Sequence, residues 1–337
     1  MRAVGYQTSL PIDQPNALVD IDLPKPEPKG RDLLVAVKAI SVNPVDTKVR
    51  LRAAPEPGDW KVLGWDAAGT VVATGPEANL FKPGDEVFYA GALERPGSNA
   101  EFHLVDERIV GLKPASLDWA AAAALPLTSI TAWEALFNRL DINKPVAGIK
   151  PSILIIGGAG GVGSIAIQLA RQLTELEVIA TASRPETRKW VEDLGAHHIV
   201  DHSKPLALQI SALDHSPGFV FSTTQSDQHQ ADVADLIAPQ GRFALIDDPP
   251  SFNIALFKRK SVSIHWEFMY TRSMFQTADM QEQGNLLNEI SKLVEKGILR
   301  STLAEHFGLI NAANLKRAHA LLESGQARGK IVLEGFV

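Results

Sequence analysis

The chain has 337 residues, 45% of them apolar and 21% charged, ordinary proportions for a soluble globular fold and too apolar for a disordered one. With 33 Lys and Arg against 39 Asp and Glu, the net charge is −6 and the pI near 5.9, which argues against a nucleic-acid partner. The sequence holds no cysteine, which excludes disulfides, a thiolate nucleophile and any zinc site built on cysteine, and fits a reducing, cytoplasmic setting.

The opening, Met1-Arg2-Ala3-Val4-Gly5-Tyr6-Gln7, has no apolar core of signal-peptide length. The longest apolar run, residues 119–127, falls far short of the ~20 residues that span a bilayer, so no membrane partner is expected. Through residue 125 the chain reads as short β-like runs, at 33–39, 69–74 and, after the turn Lys82-Pro83-Gly84-Asp85, at 86–88. Their spacing predicts a small, irregular, mostly antiparallel barrel. Asn43-Pro44 lies between the first two runs and reads as a turn.

At Ser152 the rhythm changes. Ile153-Leu154-Ile155-Ile156 is the continuous apolar run of a strand buried on both faces. A glycine-rich turn follows, then Val162, Ile165, Ala166, Leu169, Ala170 and Leu173 at helical spacing. Further strands are predicted at 178–181, 199–200, 219–221 and 243–246, with a helix over 186–194 that Gly195 ends. Strands alternating with helices imply a doubly wound α/β domain on a parallel sheet. Helices over 285–296 and 315–323 and a strand over 329–333 close the chain.

The turn Gly157-Gly158-Ala159-Gly160-Gly161-Val162-Gly163 contains G-x-G-x-x-G at Gly158, Gly160 and Gly163. It follows a strand and opens a helix, the context a dinucleotide fingerprint requires. Gly158 permits the tight turn, Gly160 lets backbone approach a pyrophosphate, and Gly163 lets helix and strand pack closely. Residues 158–163, including Ala159, Gly161 and Val162, then present helix N-terminal N–H groups to phosphate. The second strand runs into Ala182-Ser183-Arg184-Pro185, with no acid before Glu186. A carboxylate there would select NAD through the ribose 2′-OH. Ser183 and Arg184 can instead hold a 2′-phosphate, with Arg188 adding charge, so NADP(H) is the expected cofactor. Thr223 and Ile246 end later parallel strands, where such sheets bind ligands.

The chain resembles the medium-chain dehydrogenase/reductase superfamily, and within it the quinone oxidoreductase branch and the zinc-type alcohol dehydrogenase-like proteins. The resemblance rests on Gly64-Trp65-Asp66-Ala67-Ala68-Gly69, Pro83-Gly84-Asp85-Glu86-Val87, the 125–133 segment, the glycine turn and Gly329-Lys330-Ile331-Val332. It implies a GroES-like β-barrel-type domain over 1–125, completed by about 305–337, with an NADP-binding Rossmann domain over 126–304 as a middle insertion. It also implies nicotinamide contacts at Thr128 and places Asn43 and Asp46 in the active site, with Lys48 a further candidate proton donor. Members with catalytic zinc carry Cys-Gly-Thr-Asp and Gly-His-Glu segments. Here those positions read Asn43-Pro44-Val45-Asp46 and Gly64-Trp65-Asp66, and an indole cannot ligate a metal. No metal site is expected: scattered histidines such as His103, His265 and His306 show no ligand spacing, and the adjacent His197-His198 read as strand-entry residues.

Without a Lewis acid, alcohol oxidation loses the group that stabilises the developing alkoxide. A quinone or conjugated carbonyl carries that charge itself. The expected activity is a zinc-independent, NADPH-dependent reductase of a small planar quinone or α,β-unsaturated carbonyl. Trp60, Trp65, Tyr89, Trp133, Trp266 and Phe268 could as a group form a flat slot for it. The alternatives are a zinc-type alcohol dehydrogenase, or a non-catalytic NADPH-binding sensor. The alternating segment 261–268 near the sheet's end is an edge strand that the family pairs with its symmetry mate, so a homodimer is expected.

Overall fold

The computed structural model describes residues 1–336. The chain forms two compact units, Met1–Ile130 with Tyr270–Val337, and Thr131–Met269.

In the first unit a seven-stranded sheet runs Leu303–His306, Lys330–Glu334, Asp32–Val42, Ala67–Thr74, Glu86–Tyr89, Val110–Leu112, with Phe102–Asp106 also paired to Asp32–Val42. Only the first pairing in this order is parallel. A three-stranded antiparallel sheet joins Val19–Asp22, Arg2–Tyr6 and Lys61–Val62. The strand Asp32–Val42 is the hinge of the design. Its first half pairs with Phe102–Asp106 and its last four residues with Lys330–Glu334. Register shifts at Leu34/Val35 and Val37/Ala39 interrupt its pairing with Ala67–Thr74, and such bulges bend a strand enough to serve two neighbours on one side.

Where Asn43-Pro44 reads as a turn, the structure has a helix, Pro44–Arg52. Asn43 is its extended N-cap and Pro44 takes the first helical position, where a missing N–H costs nothing. The Asp46 carboxylate reaches back to accept the Asn43 N–H at 2.7 Å. At the far end Arg50, fully buried, donates to Leu10 O, the Glu323 carboxylate and His319 Nδ1, tying this helix to Ala312–Glu323.

The chain re-enters the first unit at Tyr270, not at about 305, and leaves it after Ile130 rather than 125. The cause is the helix Glu282–Glu295, which lies on Val110–Leu112 through glycine on both sides. A Cβ on Gly111 would come within 2.5 Å of Leu287 Cβ, and one on Gly284 within 2.6 Å of Arg108 O. Asn288 Oδ1 accepts the Leu112 N–H at 2.9 Å. Periodicity marks this helix but not the surface it covers.

The second unit is a six-stranded sheet, parallel throughout, in the order His198–Val200, Glu177–Thr181, Ser152–Ile156, Phe219–Ser222, Arg242–Leu245, Ser263–Trp266. In chain order this is 3-2-1-4-5-6, the doubly wound dinucleotide-binding arrangement. Ser152–Ile156 is buried at every position, each apolar side chain contributing about 1.5–3 kcal/mol. Leu206–Ala212 and Ser226–Leu236 are helices that the sequence reading did not assign.

The helical run Trp119–Arg139 is longer than its apolar core suggests: its 21 residues would suffice by length and composition to cross a membrane, and 83% of its apolar window is buried inside the protein.

Glu267, with a fully buried side chain, pairs with Arg139 Nε at 2.9 Å. Burial and the neighbouring Glu134 carboxyl nonetheless push its pKa up to about 9. The folded state therefore holds a proton that the unfolded chain releases near its ordinary value of 4.5. The stabilisation is complete below that value and is lost as pH rises toward about 9. Urea unfolding across this range should show stability falling with pH, and Glu267→Gln should flatten the fall.

Candidate active site

In the first unit the candidate residues collect around one buried ammonium. Lys330 is 2% exposed and heads the last strand. Its Nζ donates to Val42 O at 3.0 Å and to Asn43 Oδ1, and lies 3.0 Å from Asp66 Oδ2. Asn43 Nδ2 donates to the same Asp66 oxygen at 2.8 Å. Asp66 Oδ1 accepts the Leu127 N–H at 2.7 Å. Asp46 Oδ1 is buried with no hydrogen-bond partner among the described residues.

The charges decide the protonation. One ammonium faces two fully buried carboxyls. Burial pushes both up, and Lys330 pulls both down. Asp66 has the direct ion pair and two N–H donors, so it carries the negative charge. Asp46, with the Asn43 N–H as its close donor and the Gly64 N–H as a weaker one, is raised to about 7, chiefly by burial. A carboxyl poised at neutrality can hold and release a proton under working conditions.

Both ends of the Asn43 amide are engaged within this network. Thr128 Oγ1 donates to Leu125 O at 3.1 Å. Lys48 lies half-buried in the helix after Asn43. Trp65 and Tyr89 are core, while Trp60, Trp266 and Phe268 are exposed.

In the second unit the glycine turn joins Ser152–Ile156 to the helix Gly161–Leu173 at the point where strand order reverses. Gly157 adopts φ +81°, and Cβ atoms at Gly163 and Gly158 would press on Gly157 O at 2.3 Å and Ala180 Cβ at 3.0 Å. Gly160 is open, its nearest atom being Gly157 O at 3.4 Å. No side chain caps the helix start. Its N–H groups, with Ala159 and Val162 alongside, form an anion cradle that fits a dinucleotide pyrophosphate.

Beyond the second strand, Ser183 Oγ lies 3.3 Å from His202 Nε2. Arg184, partly exposed, pairs with Glu186 at 3.3 Å. Arg188 spends its guanidinium on Ala182 O and Ile199 O, both at 3.3 Å, which holds strand ends together. Thr223 directs both its N–H and its hydroxyl to Ile156 O, and the Ile246 N–H bonds Ser222 O. His202, whose Nδ1 is buried without a partner among the described residues, was missed by sequence reasoning: it lies one strand away from Ser183 in the chain.

Comparison with known proteins places this geometry. Residues 29–115 match the profile of the alcohol dehydrogenase GroES-like domain, and 194–333 that of zinc-binding dehydrogenases. A zinc-type alcohol dehydrogenase-like protein of Staphylococcus aureus (strain COL) is 39% identical over 99% of each chain. The chain belongs to the medium-chain dehydrogenase/reductase superfamily. A crystal structure from Rhizobium etli CFN 42, assigned by name to the zinc-dependent alcohol dehydrogenases, is 67% identical, covering 100% of this chain and 98% of that one, with TM-score 0.98. The quinone oxidoreductase of Coxiella burnetii is 27% identical over 99% of each chain, with TM-score 0.81. The first unit is accordingly GroES-like and the second Rossmann-like, and the protein is an oxidoreductase of the nicotinamide-dependent kind.

The residues of this dehydrogenase/reductase do not fit a catalytic zinc ion. Trp65 Nε1, at the histidine position, donates to Ala92 O at 3.1 Å. Asn43, at the cysteine position, accepts from an ammonium, and that ammonium is already the cation paired with Asp66. Lys330→Met would leave Asp66 buried and unpaired, and should cost about 3–5 kcal/mol in denaturant unfolding. Adding Asp66→Asn should restore a substantial part of that loss.

Proposed function

We propose that this enzyme is a zinc-independent, NADPH-dependent reductase of quinones or α,β-unsaturated carbonyls, working in the cytoplasm as a homodimer. The observation that carries the reading is the Lys330 ammonium, held by Asn43 and Asp66 where a metal-bearing relative needs ligands. With that charge neutralised by Asp66, this cluster of described residues offers a developing alkoxide no uncompensated cation. Conjugated acceptors delocalise the incoming charge onto their own oxygen, so they need less help.

When bound, NADPH supplies the hydride. The backbone from Gly158 to Gly163 holds the pyrophosphate. Ser183 and Arg184, with His202 beside them, bind the 2′-phosphate, Arg184 exchanging its exposed pairing with Glu186 for the phosphate. Asp46 holds a proton at Oδ1, the oxygen that does not accept the Asn43 N–H, and Asn43 positions that group through the Asp46–Asn43–Asp66 chain. Dimerisation is supported by the edge strand Ser263–Trp266, where Trp266 is 56% exposed and Phe268 beyond it 47%.

NADPH oxidation against a panel of quinones, enals, enones and simple alcohols or aldehydes tests the reading. Turnover with the conjugated acceptors, unaffected by chelators, is expected; loss on chelation with recovery on added zinc, at a temperature where the chelated protein stays folded, would overturn it. Arg184→Ala should weaken NADPH binding by ~1.5–3 kcal/mol and leave NADH unchanged. Because the protonated form of Asp46 prevails below about 7, kcat/KM should fall as pH rises through that value. Asp46→Asn should lower the rate and flatten the profile.

A further inference from the structure

The sheet of the second unit has a second chemical cluster, at its other end. Thr181 and Thr223 mark the carboxyl ends of their strands. Glu177 and His198 are the first residues of Glu177–Thr181 and His198–Val200, and His215 precedes Phe219–Ser222. His198 Nε2 lies 3.2 Å and His215 Nε2 2.9 Å from Glu177 Oε2, and the three ligand atoms lie within 4.8 Å of one another.

We propose that Glu177, His198 and His215 form a binding site for a late first-row divalent cation such as Zn2+, a structural clasp separate from the glycine turn. Two imidazoles and a carboxylate are the donor set that suits zinc, copper or nickel. A tetrahedral ion with bonds near 2.0–2.1 Å needs ligand atoms about 3.3 Å apart. The two histidine–Glu177 separations already approach that spacing, and the two imidazole nitrogens lie within 4.8 Å of each other, so closing the site takes side-chain rotation without backbone movement. The His215 side chain is 1% exposed with Nε2 aimed at Glu177, while its Nδ1 is buried with no partner among the described residues. The side chains of Glu177 and His198 are about a third exposed, at 29% and 33%, which leaves an entry path and a fourth position for water.

Two neighbours qualify the site. His197 is committed, its Nδ1 accepting the Val178 N–H at 2.9 Å. Lys150 Nζ sits 2.7 Å from Glu177 Oε1 at 57% exposure. It competes for the carboxylate as a cation and is free to swing into solvent. The ion would tie the second strand, the third strand and the turn before the fourth, and a ligand that binds only the folded state stabilises it.

The test uses full-length protein without a histidine tag, freed of metal, with ZnCl2 as the probe. Calorimetric titration should find one Zn2+ per chain, and Tm should rise with Zn2+ but not with Mg2+. His198→Ala, at a partly exposed position, should weaken binding at least ten-fold and abolish the Tm rise. His215→Gln should do the same where it folds. Lys150→Met should tighten binding several-fold, an outcome a plain Lys150–Glu177 ion pair would not produce. No Zn2+ uptake, or uptake that His198→Ala and Lys150→Met leave unchanged, overturns the proposal.

Discussion

Burying an ammonium costs several kcal/mol unless acceptors surround it, and Lys330 meets that demand with three: the Val42 carbonyl, the Asn43 amide oxygen and the Asp66 carboxylate. Each acceptor comes from a different piece of the first unit. Val42 ends the central strand, Asn43 caps the helix after it, and Asp66 immediately precedes the next strand of the sheet. Lys330 itself is 287 residues from Asn43 in the chain. The last strand is therefore pinned beside Asp32–Val42 by charge as well as by its ladder. Through Asp66 the same interaction fixes the N–H of Leu127, and through Asn43 it fixes the backbone that Asp46 grips.

This dependence explains what was legible in the sequence. The parallel sheet was plain because a strand buried on both faces must be apolar throughout, as Ile153 to Ile156 are, and because glycine is forced at the turn by close backbone approach. In the sequence Lys330 is part of a closing strand motif; nothing in its neighbourhood reports that its side chain turns inward to meet residues almost the whole chain away. The helix Pro44–Arg52 hid behind Asn-Pro, since the same dipeptide serves a turn or a capped helix start. What decides between them is Arg50, whose guanidinium is claimed by the C-terminal helix and its surroundings. The re-entry at Tyr270 was invisible for a similar reason: Gly111 and Gly284 make room for one another's elements only in three dimensions.

The polarity of a parallel sheet sorts the second unit's chemistry. Carboxyl ends carry the glycine turn, Ser183 and Thr223, and the helix starting there turns its N–H groups toward anions. Amino ends carry Glu177, His198 and His215, brought together from positions 21 and 38 residues apart in sequence. Spacing along the chain says nothing about that cluster. Register does, because His198 pairs with Ile179, two residues into the strand that Glu177 opens.

The proposed reaction class rests on charge. An open metal ion brings uncompensated positive charge to an oxygen that is becoming negative. The Lys330 ammonium cannot do the same, because Asp66 cancels it at 3.0 Å and its three hydrogen-bond directions are filled. What remains changeable in the network is the proton of Asp46, whose pKa burial raises to about 7 against the partial pull of Lys330. A site that offers a proton rather than a cation suits substrates that spread the arriving negative charge over their own conjugated system before the proton is delivered.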